Sequence, residues 1–361
     1  MECARCDLKR HRACTCGKVK KNRMERGASV GRHVGKRMSQ QEPIVIGTEC
    51  SGIEAPIVAL RRMGVAHDHA YSTECNESAQ VWSVYNYSPR VKYDNILERD
   101  TSALPAVDLY VCGIPCQEFS RMNQYKTGGE LKCTALVEQV INAIQQSTPT
   151  SFVLENVPSF WKHALGRRVE CELSKGYDIL SNILSPHEYG APQYRKRLYV
   201  VGIRKGHSVR PFERPAKIEL ATKCIELLSN DLSEASLQSC KVRDKYYGEK
   251  ISRWDLSNAT PSIIAPSLHG LRPIDAKDPS IAPCVLASHP GLYATHLKRL
   301  LHPRELLRLQ GFTAVNLPPS LSNSIVRRLI GNAMSVDVLM HLFMALFKCI
   351  GKGTEAAFAT L

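Results

Sequence analysis

Between residues 44 and 203 the chain repeatedly alternates short continuous apolar runs with stretches of helical period. That alternation constrains the fold more than any other feature. Strands separated by helices pair in parallel, and a sheet of that kind is buried only when helices cover both faces. The runs read as seven strands, at 44–46, a stretch ending at Tyr71, 91–93, 107–111, 151–154, 179–184 and 198–202. Helical stretches are read through Ile57, Leu60 and Met63 up to Gly64, through Val81, Val84 and Tyr85, and over 134–145, where Leu136, Val137, Val140, Ile141 and Ile144 share one face. The expected class is α/β, with a doubly wound, mostly parallel seven-stranded sheet. It occupies 42–206, and from 207 to 280 the alternation yields to Pro, Ser, Lys and Arg with short apolar pieces, read as a small irregular β lobe. Two similar phrases there, 261–266 and 279–283, read as paired short strands. Helical texture returns at 304–310 and 336–350, within a segment 281–350 expected to pack back on the sheet, and 351–361 is a tail.

With 361 residues, 43% hydrophobic and 23% charged, the chain has the composition of a soluble globular protein. No uninterrupted apolar run approaches membrane-spanning length, and the start at Met1-Glu2-Cys3 lacks an apolar signal region. The expectation is an intracellular protein with no membrane association, nuclear in a eukaryote and cytoplasmic in a prokaryote or virus. Its 14 cysteines then read as free thiols or metal ligands rather than disulfides. Net charge is +14, and residues 1–41 hold 12 Lys/Arg against 3 acids, which leaves +5 for the rest. A basic arm on a mildly basic body suits a polyanionic partner. The arm also carries Cys3, Cys6, His11, Cys14 and Cys16. They could close a zinc knuckle, but the spacing is tight and no apolar residues surround them, so the favoured reading is a disordered arm without metal.

The strand at 107–111 runs into Gly113-Ile114-Pro115-Cys116-Gln117-Glu118-Phe119-Ser120. A strand that stops in such a turn holds a thiol at the carboxyl edge of the sheet, where open α/β folds bind ligands. A single cysteine is ordinarily a buried structural residue. Here Glu155-Asn156-Val157 directly follows another strand, and Gln193-Tyr194-Arg195-Lys196-Arg197 precedes the last one, intervals that fit a thiol-driven attack on a pyrimidine ring. Arg195 and Arg197 alternate, so an extended segment turns both to one side. Cys50-Ser51-Gly52-Ile53 forms the first strand-to-helix turn, and Glu74 follows the second strand, placed like the acid that holds ribose hydroxyls in dinucleotide folds.

Together with Arg304-Glu305-Leu306-Leu307-Arg308-Leu309-Gln310-Gly311-Phe312 and Gly331-Asn332-Ala333, these motifs stand in an order that resembles the cytosine carbon-5 methyltransferases over roughly 44–350. The resemblance implies a Rossmann-like fold, S-adenosylmethionine as methyl donor, and a monomer acting on double-stranded DNA with the target base flipped out of the stack. It implies Cys116 as the nucleophile that adds to carbon 6, because a thiolate combines nucleophilicity with easy departure. Glu155 then engages nitrogen 3, Asn156 braces the loop bearing Cys116, Arg197 contacts the exocyclic oxygen and Arg195 supports the thiol loop. The implied donor-binding set is Cys50, Gly52, Ile53, Glu74, Cys75, Asn95, Ile96, Pro115, Leu136 and Asn332. Arg210, Arg214, Lys241, Arg243, Lys245, Lys250 and Arg253 of the lobe are expected to contact phosphates or base edges. Two departures stand out. The family's Asp-x-Phe-x-Gly-x-Gly-Gly is Thr48-Glu49-Cys50-Ser51-Gly52-Ile53-Glu54-Ala55 here, and the acid of the third motif is Asn95. The alternatives are a tRNA cytosine methyltransferase of the same fold, which usually lacks a residue like Gln117 after the cysteine, and a catalytically silent DNA-binding relative.

Overall fold

The computed structural model describes residues 42–115, 130–229, 232–242, 248–249, 251, 261–265, 278–287 and 291–352. They fall in one compact unit, Gln41–Leu361. The five cysteine and histidine candidates of the arm, Cys116 and Gln117, and Arg243, Lys245, Lys250 and Arg253 lie outside the described residues.

Seven strands form the main sheet: β1 (Ile44–Glu49), β2 (His67–Thr73), β3 (Val91–Tyr93), β4 (Leu109–Gly113), β5 (Ser151–Asn156), β6 (Tyr177–Leu184) and β7 (Arg197–Arg204). Their order is β3-β2-β1-β4-β5-β7-β6. The first five are parallel, whereas β7 runs antiparallel to both β5 and β6. The chain steps outward from β1 to β2 and β3, then returns to the other side of β1 with β4. That reversal opens the crevice where ligands of such sheets bind.

Alternate residues feed two cores, which is why the strands read as continuous apolar runs. Ile46, Val111, Val153 and Val201 pack with helix α1 (Ala55–Arg62) and the last helix, α8 (Val336–Ile350). Tyr110, Cys112, Phe152 and Leu154 pack with α3 (Glu130–Ser147) and α4 (Ala164–Leu173) on the opposite face. Leu339, Leu342, Phe343, Leu346 and Phe347 of α8 are fully buried, each stabilising the fold by about 1.5–3 kcal/mol. Among the described residues, Asn323–Ile350 is the stretch apolar and long enough to cross a membrane, yet 78% of its apolar window is buried inside the protein.

Several details differ from the sequence expectation. Helix α2 (Glu77–Asn86) exists, but Val81, Val84 and Tyr85 point outward while Ala79 and Trp82 are buried. The large indole sets the inward face there. The phrases 261–266 and 279–283 are not partners. Strand β8 (Ile263–Ile264) pairs with β9 (Tyr293–Ala294), which pairs with β10 (Arg299–Leu300). Ala282 instead bridges Gln193, its carbonyl accepting from Tyr194 N at 2.8 Å, so the second phrase braces the arginine segment. Besides the short α5 (Glu234–Gln238) and α6 (Pro303–Leu309), a helix α7 (Asn323–Asn332) stands where none was read, capped by Ser322.

Candidate active site

The carboxyl ends of β1, β2, β4 and β5 meet the start of antiparallel β7 along one edge. Gly113 pairs with Glu155 across β4 and β5, and Asn156 pairs with Leu198 across β5 and β7. Glu155 therefore lies beside the strand that leads through exposed Pro115 to Cys116. Its carboxylate is 8% exposed, and Arg197 Nε stands 3.4 Å from Oε1. Burial raises its pKa above the ordinary carboxylate value, opposed by the positive charges of Arg197 and Arg195. A protonated carboxyl is thus available at higher pH than a surface glutamate would allow. Asn156 Nδ2 donates to Ile114 O at 3.4 Å, and its Oδ1 accepts from Val157 N at 2.7 Å, so the side chain links the ends of β4 and β5.

Arg195 and Arg197 both turn inward, as alternation required, but they do different things. Arg197 faces Glu155. Arg195 is 3% exposed and donates to the carbonyls of Val285 at 2.9 Å, Gly331 at 3.1 Å and Ala333 at 2.8 Å. Cys284 Sγ lies 3.4 Å from Arg195 Nη1 and 4.0 Å from Arg197 Nη2, between the two guanidinium groups. Sequence reasoning gave no signal for Cys284. The buried Gln310 adds a bond from its Nε2 to Ile330 O at 3.1 Å. Together these bonds pin the turn that ends α7 and leave Asn332 exposed on it. Next to that turn, Met334 crosses the sheet edge. A Cβ on Gly113 would meet Met334 Cε at 3.0 Å and Cys50 O at 3.1 Å, so glycine lets these three segments lie closer than a side chain there would without a shift. Glu305 of the Arg304–Phe312 motif is a structural acid. It is 0% exposed and takes both Arg299 terminal nitrogens at 2.8 Å.

At the other end of the crevice, Cys50 and Gly52 adopt left-handed backbone, with φ 47 and φ 56, and no described residue lies within 4 Å of where a Gly52 Cβ would be. Glu74 accepts from Gly52 N at 2.7 Å and from Asn76 N at 2.9 Å, which ties the end of β2 to the turn after β1. Burial raises its pKa, partly offset by those amides. Ile53 is fully buried under the turn, and Cys75 is exposed beside Glu74. The Cys50 thiol is pushed well above its ordinary value, first by a hydrogen bond with Cys112 and then by burial. Asn95 has both ends engaged locally: Oδ1 accepts from Leu97 N at 3.0 Å and Nδ2 donates to Glu98 Oε1 at 2.6 Å. Ile96 is buried beneath that turn, and Leu136 is half-buried on α3. One buried pair was not foreseen. Glu49 is bonded by Arg99 Nη2 at 2.9 Å and by Tyr110, which fastens the end of β1 to the loop after β3.

A doubly wound sheet with a buried acid–arginine pair and a glycine turn at its carboxyl edge is the arrangement of a ligand-binding α/β enzyme domain. Comparison with known proteins narrows it. The family described as C-5 cytosine-specific DNA methylase matches residues 50–348, and the chain belongs to that family. It is 29% identical over 296 residues to the type II methyltransferase M.NgoBI of Neisseria gonorrhoeae, covering 80% of this chain and 88% of that one. To the type II methyltransferase M.HhaI of Haemophilus parahaemolyticus it is 24% identical over 282 residues, covering 75% and 85%. Among solved structures, the S. pombe Dnmt2 methyltransferase matches with a TM-score of 0.62 at 18% identity, over 85% of this chain and 99% of that one. The Entamoeba histolytica methyltransferase EhMeth matches with a TM-score of 0.59 at 18% identity, over 85% and 98%. These two likenesses concern the fold.

Proposed function

We propose that the protein methylates carbon 5 of cytosine in double-stranded DNA, with Cys116 as nucleophile, Glu155 and Arg197 at the base, and S-adenosylmethionine as donor. The observation that carries this reading is the Glu155–Arg197 pair, 3.4 Å apart, with Glu155 in register with Gly113 on the strand that leads to Cys116. Carbon 5 of cytosine is a poor nucleophile. A Cys116 thiolate adding at carbon 6 pushes electrons into the ring, and protonation at nitrogen 3 lets the ring accept them. Glu155 supplies that proton, since burial keeps its carboxyl protonated beyond the usual range. Arg197 contacts the exocyclic oxygen and holds the Glu155 carboxyl in place. Arg195 acts further back, as the strut of the 331–333 turn. Once carbon 5 carries the methyl group, loss of its proton to solvent re-forms the carbon-5–carbon-6 double bond and expels the Cys116 thiolate, and nitrogen 3 returns its proton to the Glu155 carboxylate.

The first turn fits the donor. Gly52 has no described residue within 4 Å of its Cβ position, Glu74 presents a half-buried carboxylate at the end of β2, and Asn332 is exposed on the pinned turn. Cys50, Gly52, Ile53, Glu74 and Cys75, with Ile96, Pro115, Leu136 and Asn332, would hold it. When bound, S-adenosylmethionine supplies the methyl group from an electrophilic sulfonium. Asn95 is the weak member of the set, because its amide is already used within its own turn.

The target base must leave the helix to reach a thiol at this edge. Arg210, Arg214 and Lys241 are exposed on the segment after β7 and are suited to phosphate contacts. Labelled-methyl transfer to duplex DNA and to tRNA tests the reading. It predicts DNA labelling that Cys116→Ala abolishes; labelling confined to tRNA contradicts the DNA assignment, and labelling of neither contradicts the activity.

A further inference from the structure

Beneath the donor turn the fold buries a polar cluster that the chemistry above leaves unused. Glu54 is the N-cap of α1, with left-handed backbone at φ 60 and ψ 46 and a side chain 0% exposed. A glycine would adopt that conformation without strain and without burying an acid, so Glu54 carries two costs that a glycine avoids. Its carboxyl does not cap its own helix. It turns back under the turn, where Oε1 accepts from Ser72 Oγ of β2 at 2.5 Å and from Thr48 Oγ1 of β1 at 3.3 Å. Ser51 donates to it from within the turn, and the Ser51 and Ser72 hydroxyls lie 3.1 Å apart. Thr48 Oγ1 also lies 3.0 Å from His69 Nε2. Glu54 Oε2, which lies 3.9 Å from His69 Nε2, and His69 Nδ1 are buried without hydrogen-bond partners among the described residues. One carboxyl thus joins the ends of β1 and β2 directly below the point where Glu74 grips Gly52 N. The first-motif pattern puts its acid at position 48 and a glycine at position 54; here position 48 is a threonine and the acid stands at 54, where it reaches the hydroxyl at 48.

We propose that Glu54 is a positioning residue for the methyl donor, whose buried carboxyl holds the Ser51-Gly52 turn and the ends of β1 and β2 in the shape that receives it. This rests on reading that turn and Glu74 as the donor site. Glu54 acts through Ser51, Ser72 and Thr48.

The test is calorimetric titration of S-adenosylmethionine into the full chain and into Glu54→Gly, Glu54→Gln and the exchange Thr48→Asp with Glu54→Gly, with duplex binding measured alongside. Glu54→Gly should bind the donor at least about tenfold more weakly, about 1.4 kcal/mol. Glu54→Gln keeps an acceptor oxygen and should stay within about threefold, and the exchange should recover to the same range. Duplex affinity should be unchanged throughout. A merely structural role would lower the unfolding midpoint and duplex affinity together, without selective loss of the donor. Donor affinity of Glu54→Gly within about twofold of the parent overturns the inference. If that variant does not fold, a folded exchange variant that binds the donor about tenfold more weakly overturns it instead. Should the parent itself not bind the donor, the donor-site reading falls and this inference with it; if the parent binds and Glu54→Gly matches it, this inference alone falls.

Discussion

Replacing Arg195 by methionine removes the guanidinium while keeping a long side chain in its place. Three buried carbonyls, those of Val285, Gly331 and Ala333, lose donors at 2.8 to 3.1 Å. An unsatisfied buried acceptor costs about 1–3 kcal/mol. Two of the three keep a weaker partner, because Gln310 Nε2 lies 3.5 Å from Ala333 O and Cys284 Sγ 3.6 Å from Val285 O. Gly331 O bears the loss most fully. The variant also escapes the cost of burying a guanidinium, so the net destabilisation should be about 2–4 kcal/mol. Lysine, a point donor, cannot span all three carbonyls and should recover only part of that. Urea titration followed by tryptophan fluorescence, to which the buried Trp82 contributes, measures it. The exposed Asn332 sits on the same turn, so donor affinity should fall in step with stability. A loss below about 0.5 kcal/mol with donor affinity intact would refute the assignment of Arg195 as the strut of that turn.

Glu155→Gln should slow single-turnover methyl transfer by about 10²-fold or more, as expected when a positioned acid is lost; an unchanged rate removes Glu155 from the chemistry. The same variant has a stability signature. Burial raises the Glu155 pKa, so its protonation favours folding, a contribution present below the ordinary carboxylate value and lost as pH rises through the folded pKa. Relative to the parent, Glu155→Gln should therefore gain stability as pH rises from the ordinary carboxylate value through the raised folded pKa, read by urea midpoints across a pH series. Deleting residues 1–41, which carry 12 of the 48 Lys/Arg, should weaken binding to all DNA sequences alike and flatten its salt dependence; a changed target sequence would instead give the arm a reading role.

The sheet was legible because its central strands are covered twice. Phe152-Val153-Leu154 sends alternate side chains into two different cores, and a strand buried on both faces has no polar side to blur the pattern. The antiparallel β7 was implicit in what separates it from β6. Residues 185–196 include only a one-turn helix, Pro186–Glu188, too little for a parallel crossover. The inward face of α2 was not legible, since Val81, Val84 and Tyr85 make as plausible an apolar stripe as Trp82 and Ala79, and only packing decides between them. Of the candidate site, the strand-end placement of Glu155 could be read from its position after Leu154, whereas the task of Arg195 could not. Its partners lie 90 to 138 residues further along the chain. Glu54 reads in sequence as a glycine replaced; its carboxyl is tied to Thr48 and Ser72 only by the way β1 and β2 lie side by side.

The proposed reaction passes through a transient bond between the Cys116 sulfur and carbon 6 of an extruded cytosine. Incubation of the full chain with S-adenosylmethionine and a duplex containing 5-fluorocytosine at its target site arrests the reaction after methyl transfer, because fluorine cannot leave as the proton does. A denaturation-resistant protein–DNA adduct should form, map by peptide mass to Cys116 and disappear in Cys116→Ala. A duplex that is methylated when it carries ordinary cytosine, yet yields no adduct with the fluorinated base or yields one mapping to another residue, would contradict it.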